Sequence, residues 1–152
     1  MNTKAAADAI AARFTGVTAT LNGVTESLVS APTASLPDSV AKGPVILVYH
    51  PTARLEIGIN RMRNDHYIYP VRLLRDPIGY PTRSDWLYAW HDATRDRVEG
   101  NVDLDLPAYV AYAQLVSARV ELDGEEYAGV KFDVVEYAVQ VLFREVVVTV
   151  SI

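Results

Sequence analysis

The chain contains no cysteine in its 152 residues, and that absence removes a whole block of chemistry. There can be no disulfide framework, no thiolate zinc site and no thiol nucleophile, which fits synthesis in a reducing cytoplasm. Histidine is also scarce, with three copies, so any acid–base site working near neutral pH has few groups to draw on. No apolar run approaches the roughly 20 residues that a membrane helix needs. No secretory leader is expected either, because Asp8 interrupts the alanine-rich start and no hydrophobic block follows Lys4. Gly16, Gly23 and Gly43 are scattered, and no Gly-Lys-Ser or Gly-Lys-Thr follows them, so there is no phosphate-binding loop. A Gly-x-Ser-x-Gly elbow is missing as well.

What is present is an ordinary globular balance, 50% hydrophobic and 22% charged, in a length that suits a single domain over 1–152. The charge is sorted along the chain. Residues 1–97 carry 11 basic against 9 acidic side chains, and residues 98–152 carry 3 against 10. Two oppositely biased halves suit surfaces that meet head to tail between identical copies, since complementary potential sets partner choice and register. A formal net charge of −5 argues against nonspecific nucleic-acid binding, whose affinity comes mainly from phosphate neutralisation.

Residues 2–14 place Ala6, Ile10, Ala11 and Phe14 on one side, predicting a short amphipathic helix that docks through Ile10 and Phe14. From Thr15 to Pro51 the composition turns to Thr, Ser, Gly and Pro, which excludes a long helix. Strands are expected at Leu21–Val29 and Val45–Tyr49, with an exposed proline-rich excursion over about 31–43 between them. Leu55, Ile57 and Ile59 alternate with polar neighbours, and Tyr67, Tyr69, Val71 and Leu73 alternate again. Parity favours a hairpin closed by a three-residue loop of Asn64, Asp65 and His66, with Ile57 opposite Leu73 and Ile59 opposite Val71. Trp86, Leu87, Trp90, Ala93, Thr94 and Val98 share one helical face, with Thr82 and Asp85 as the N-terminal cap and Gly100 as the stop. Tyr109–Leu122 admits helix or strand, and its even-numbered Val110, Tyr112, Val116, Val120 and Leu122 favour strand. A turn at Asp123 and Gly124 then leads into valine-rich strand from Tyr127 to Val150, where a shift of apolar parity predicts a bulge near Val134 and Val135. The fold class expected is α+β: a mixed, mainly antiparallel sheet with a short N-terminal helix and one central helix packed on it.

None of the titratable clusters composes a reaction centre. His50-Pro51-Thr52 matches a His-x-Thr element that two-histidine phosphoesterases need twice, and His91-Asp92-Ala93-Thr94 has the wrong spacing for the second. His91, Asp92 and Asp96 share a helix with no second histidine at a metal-ligand offset. Catalytic, metal and cofactor sites are therefore not expected. Eight arginines between positions 54 and 97 are interleaved with tyrosines and tryptophan. That mixture suits a protein interface, or alternatively a groove for single-stranded nucleic acid. The candidate subunit-interface residues are Arg54, Arg61, Arg63, Arg72, Arg75, Tyr67 and Tyr69. Asp103, Asp105, Glu125 and Glu126 are the candidate acidic residues of an interface or a lumen.

The sequence from Ala31-Pro32 through Ser35-Leu36-Pro37-Asp38, the strand at Pro44–His50, and the entry Glu126-Tyr127-Ala128-Gly129-Val130-Lys131-Phe132 into the last strand follow a familiar order. Over nearly the whole chain it resembles the tail terminator proteins of long-tailed bacteriophages, the neck proteins that cap the tail tube and join it to the head. The resemblance implies an α+β subunit of a homohexameric ring, with no enzyme activity. The implied partners are further copies of itself, the major tail protein below and a head-completion or connector protein above. Genomic DNA would pass through without tight binding, and no membrane is involved. The protein would be made in the host cytoplasm and reside in the virion. Other neck components, such as a head-completion or tail-completion protein, are the near alternatives.

Overall fold

A computed structural model describes residues 3–54, 62–78, 81–98 and 110–146. Its frame is α+β. Helix α1 (Thr3–Arg13) leads into a small hairpin of β1 (Thr18–Leu21) and β2 (Val24–Ser27), which among the described residues pair with each other alone. β3 (Val45–Val48), β4 (Thr52–Arg54) and the long β5 (Met62–Arg75) follow, then helix α2 (Arg83–Val98) and the strands β6 (Val110–Tyr127) and β7 (Val130–Val146). The main sheet is antiparallel in the order β3-β5-β7-β6, with β4 pairing along the outer part of β5.

Both helices form where apolar spacing predicts them. Ile10 and Phe14 are 2% and 1% exposed, and the small Ala6, Ala7 and Ala11 beside them let α1 approach β3 and α2 closely. On α2, Trp86, Leu87, Trp90 and Thr94 are buried, and Trp86 N–H bonds the Thr82 carbonyl in the first turn. The C-terminal ends of the two helices are tied together. Arg13 Nε donates to the Arg97 carbonyl at 3.2 Å, and Arg97 Nη1 donates to the Thr15 carbonyl at 3.0 Å, so cations sit on carbonyls that the helices leave unpaired.

The expected strand at Leu21–Val29 is instead the second half of a hairpin. Asn22 and Gly23 both take positive φ, 50° and 78°, which is the two-residue turn that matches strand twist. Residues 110–122 are strand, as their parity indicates, and belong to β6, while Tyr109 lies outside the described residues.

The register of the β4–β5 arm differs from expectation. Thr52 lies opposite Ile68 and Arg54 opposite His66, so Asn64, Asp65 and His66 lie within β5 rather than in a loop. Leu73 pairs with Ile46 and Val135, and Val71 with Val48 and Tyr137. Neighbouring strands thus take the partners that parity within the arm assigned to Ile57 and Ile59, which themselves fall outside the described residues.

The C-terminal hairpin also needs correction. Its turn is at Ala128 and Gly129, with φ of 49° and 82°, rather than at Asp123 and Gly124. Residues 122–124 form a bulge in β6, because Glu121 faces Val134 while Glu125 faces Phe132. β7 itself runs along β5 in unbroken register, so no bulge occurs at Val134 and Val135. The change of parity has another cause: both faces of the sheet are covered at this end. Val135, Tyr137, Val139, Val141 and Phe143 face the main core under α1, α2 and the small hairpin. Phe132 and Val134 face a second core with Val40, Val45, Leu47 and Leu74, roofed by the excursion. That excursion is accordingly not free of the fold. Val40 is buried, and Thr33 N–H and carbonyl bond the outer edge of β3 at Ile46 and Val48. Where the chain turns in from the excursion, Gly43 is tight against β5, and a Cβ there would collide with the Leu74 carbonyl.

Candidate functional site

Two of the arginines proposed for an interface, Arg72 and Arg75, hold the subunit together. Arg75, at the end of β5, is 6% exposed. Its Nε and Nη2 grip the Glu26 carboxylate of β2 at 2.9 and 3.1 Å, Nη1 donates to the Ile78 carbonyl at 3.2 Å, and the guanidinium lies 5.3 Å from the Trp86 ring. Trp90 Nε1 donates to the same Glu26 at 2.8 Å. One carboxylate on the small hairpin therefore joins β5 and α2, with the Arg75 guanidinium committed to it inside the subunit. Tyr69, expected at an interface, is instead a core residue. It is fully buried, its hydroxyl donates to the Thr3 carbonyl at 2.8 Å, and burial pushes its pKa well above the usual phenol range. Tyr67 is half-buried and meets the Phe143 ring edge-on, with centroids 5.2 Å apart, so it belongs mainly to the core face.

Arg72 sits on the other face of the sheet. It lies 4.2 Å over the Tyr49 ring, pairs directly with Glu136 across the strands and reaches Glu125 at 3.3 Å. Arg119 on β6 reaches the same Glu136 at 3.6 Å, which makes a cross-strand row of alternating charge. Glu125 is thereby neutralised inside the subunit, whereas Glu126 remains exposed near the hairpin turn. Arg54 and Arg63 occupy backbone positions on β4 and β5, opposite His66 and Glu145 respectively. Arg61, Asp103 and Asp105 lie outside the described residues.

Two charged residues with central structural roles escaped sequence reasoning. Asp133 is fully buried, receives two hydrogen bonds from Arg83 at 2.6 and 2.5 Å, and accepts the Asp123 N–H at 2.8 Å. These bonds anchor the start of α2 and shape the β6 bulge. The available signal was a lone carboxylate between Phe132 and Val134, since a charge inside an apolar run has to be paired. Arg83 in the first helical turn, where the helix dipole disfavours a cation, was the matching half.

The three histidines are far apart in role. His50 is exposed beside a recess lined by Lys4, Ser35 and Leu36. His66 Nδ1 lies 3.1 Å from the Gln140 amide, and His91 bonds its neighbour Asp92 and stacks on Tyr137. Among the described residues no group of three His, Asp or Glu side chains is placed to hold a metal ion. No described helix is long and apolar enough to cross a membrane.

The surface features that stand out are apolar. At the end of the sheet where β3 and β7 begin, Ile78 is 62% exposed and Val29 53%. Two recesses of about 260 and 540 Å³ adjoin there and share Val29 and Lys42. No protein-family model and no curated protein matches the chain.

Proposed function

We propose that the chain is a structural virion protein: a ring-forming subunit of a bacteriophage neck that caps the tail tube and meets the head-side connector. The observation that carries this reading is the order of elements. A short N-terminal helix, a proline-rich excursion, an arginine-bearing arm, a tryptophan helix and a long β hairpin follow one another as the tail-terminator resemblance implies. In this reading the subunit assembles with itself, as a homohexamer, through heterologous contacts. It stacks on the major tail protein, meets a head-completion protein, and lets genomic DNA pass without tight binding. The other neck positions, head completion and tail completion, share this physical logic.

The rival reading is a small nucleic-acid-binding module that uses the arginine and aromatic hairpin. Among the described arginines, Arg72, Arg75 and Arg83 are each engaged with carboxylates of their own subunit. The native mass of the purified chain, alone and with tail tubes, tests the ring. A closed multiple of the 16.8 kDa subunit is expected. A monomer under both conditions overturns the reading, and submicromolar DNA binding at physiological salt would favour the rival.

A further inference from the structure

Asn22-Gly23 is the one Asn-Gly step in the sequence, and it forms the tip of the small hairpin. The pair suits this turn because both residues accept positive φ. It is also a step at which the main chain can attack a side chain. The Gly23 nitrogen can close a five-membered ring on Asn22 Cγ, and glycine has no side chain to obstruct the approach.

The structure leaves the reacting groups open. Asn22, Gly23 and Val24 are all exposed, and a Cβ placed on Gly23 would meet nothing within 4 Å. Leu21 pairs with Val24 across the turn, so the Gly23 N–H stands outside the hairpin ladder. Ring closure needs the Asn22 side chain to swing over the following peptide, which the closed turn restricts and fraying of Leu21 and Val24 allows. That fraying is a local event. β1 and β2 have four residues each and pair, among the described residues, with each other alone, and a two-stranded hairpin is only marginally stable by itself.

The chain holds an internal control. Asp123-Gly124 is the chemical relative of this step, also with positive φ at its first residue, 52°. There Arg83 holds the carboxylate at 2.8 Å, the Asp123 N–H donates to Asp133 at 2.8 Å, and a Cβ on Gly124 would lie 2.7 Å from Val134 Cγ1. Asp123 is fixed by its partners inside the β6 bulge, whereas Asn22 is restrained by its turn.

We propose that Asn22 is a site of spontaneous intramolecular deamidation, and that its isoaspartyl product loosens the joint made by Glu26. The Gly23 nitrogen bonds to Asn22 Cγ, the bond from Cγ to the side-chain nitrogen breaks, and the Gly23 proton leaves with that nitrogen as ammonia. The product is a succinimide. Water then opens one of the two ring C–N bonds, giving aspartate when the bond to Cγ breaks and isoaspartate when the bond to the Asn22 carbonyl carbon breaks. Aspartate keeps the length of the main chain and tolerates left-handed φ. Isoaspartate routes the main chain through Cγ and adds a methylene to a two-residue turn. The register that pairs Ala19 with Glu26 then loosens, and with it the carboxylate shared by Arg75 and Trp90. The proposal stands apart from the ring reading.

The test ages the full chain in mildly alkaline buffer, native and in urea, and maps its peptides by chromatography and mass spectrometry. In the native protein Asn22 should convert less than about a hundredfold more slowly than in urea, because a local opening suffices. A reaction that waited for global unfolding would be slowed by about a thousandfold or more. Asp123, compared with its own rate in urea, should be slowed more than Asn22. Slowing of Asn22 beyond about a hundredfold, or Asp123 slowed no more than Asn22, overturns the modification site. The isoaspartyl fraction isolated from aged protein should melt below Asn22→Asp, which carries the other product. Equal melting overturns the loosening at Glu26.

Discussion

Arg83 and Asp133 form an ion pair whose two halves are unequally buried, and that inequality makes a sharp prediction. Asp133 has no exposed surface, whereas the Arg83 side chain keeps 22%. Arg83→Ala would strand a carboxylate in the core with only the Asp123 N–H for company. A buried charge that loses its partner costs about 3 kcal/mol. In Asp133→Ala the guanidinium can hydrate and still holds Asp123, which lies 2.8 Å away, so the cost is about 1–2 kcal/mol. With Asp133 gone, Arg83 has little left to stabilise. The double variant should therefore be close to Asp133→Ala alone, well short of the sum of the single variants. Urea denaturation followed by circular dichroism, with the m-value checked for constancy, reads all three free energies. If Arg83→Ala proves the milder single change, or if the two effects add, the account of a core carboxylate held by a surface arginine is wrong.

Gly43→Ala should lower stability by about 2–3 kcal/mol, because the added Cβ meets the Leu74 carbonyl and lies 3.1 Å from Arg75 Cα, both backbone atoms of β5. Thermal denaturation should show a fall of roughly 4–10 °C, and an unchanged midpoint would contradict the close approach. Asn22→Ala, at φ 50° in the small hairpin, should cost about 1 kcal/mol from left-handed strain alone, readable in the same melt. Burial raises the Tyr137 pKa to about 12, so the folded state keeps the phenol proton longer than the unfolded chain does. Stability from this group is complete below about pH 10 and is lost as pH rises towards 12. Tyr137→Phe should lose about 1 kcal/mol at pH 7 with its hydrogen bond to the His91 carbonyl, yet decline less steeply in denaturation series run from pH 8 to 12.

Much of the frame was legible in the residues because periodicity is a local property. Ile10 and Phe14 four apart, or Trp86 and Trp90 on one face beyond Thr82, define a helix and its buried side without reference to the rest of the chain. The strand character of 110–122 likewise follows from parity, whereas its continuation to Tyr127 through the bulge does not. Asn22-Gly23 carried a hairpin signal as well, which a single strand over 21–29 overlooks.

Pairing is not local, and there the residues alone fall short. Within the arm, Leu73 matches Ile57 as well as any partner, but β3 and β7 supply Ile46 and Val135, and only the assembled sheet decides between them. The apolar residues on both parities of β7 are ambiguous in one dimension, and become simple once a core lies on each face. The same limit applied to the candidate site. The sequence by itself determined how much charge the chain carries, its division between the two halves, and the absence of thiol chemistry. Which charges are free was decided by tertiary structure, because Arg75 and Glu26 are 49 residues apart and Arg83 and Asp133 are 50 apart. Folding brings these pairs into contact out of water, where each group must satisfy the other.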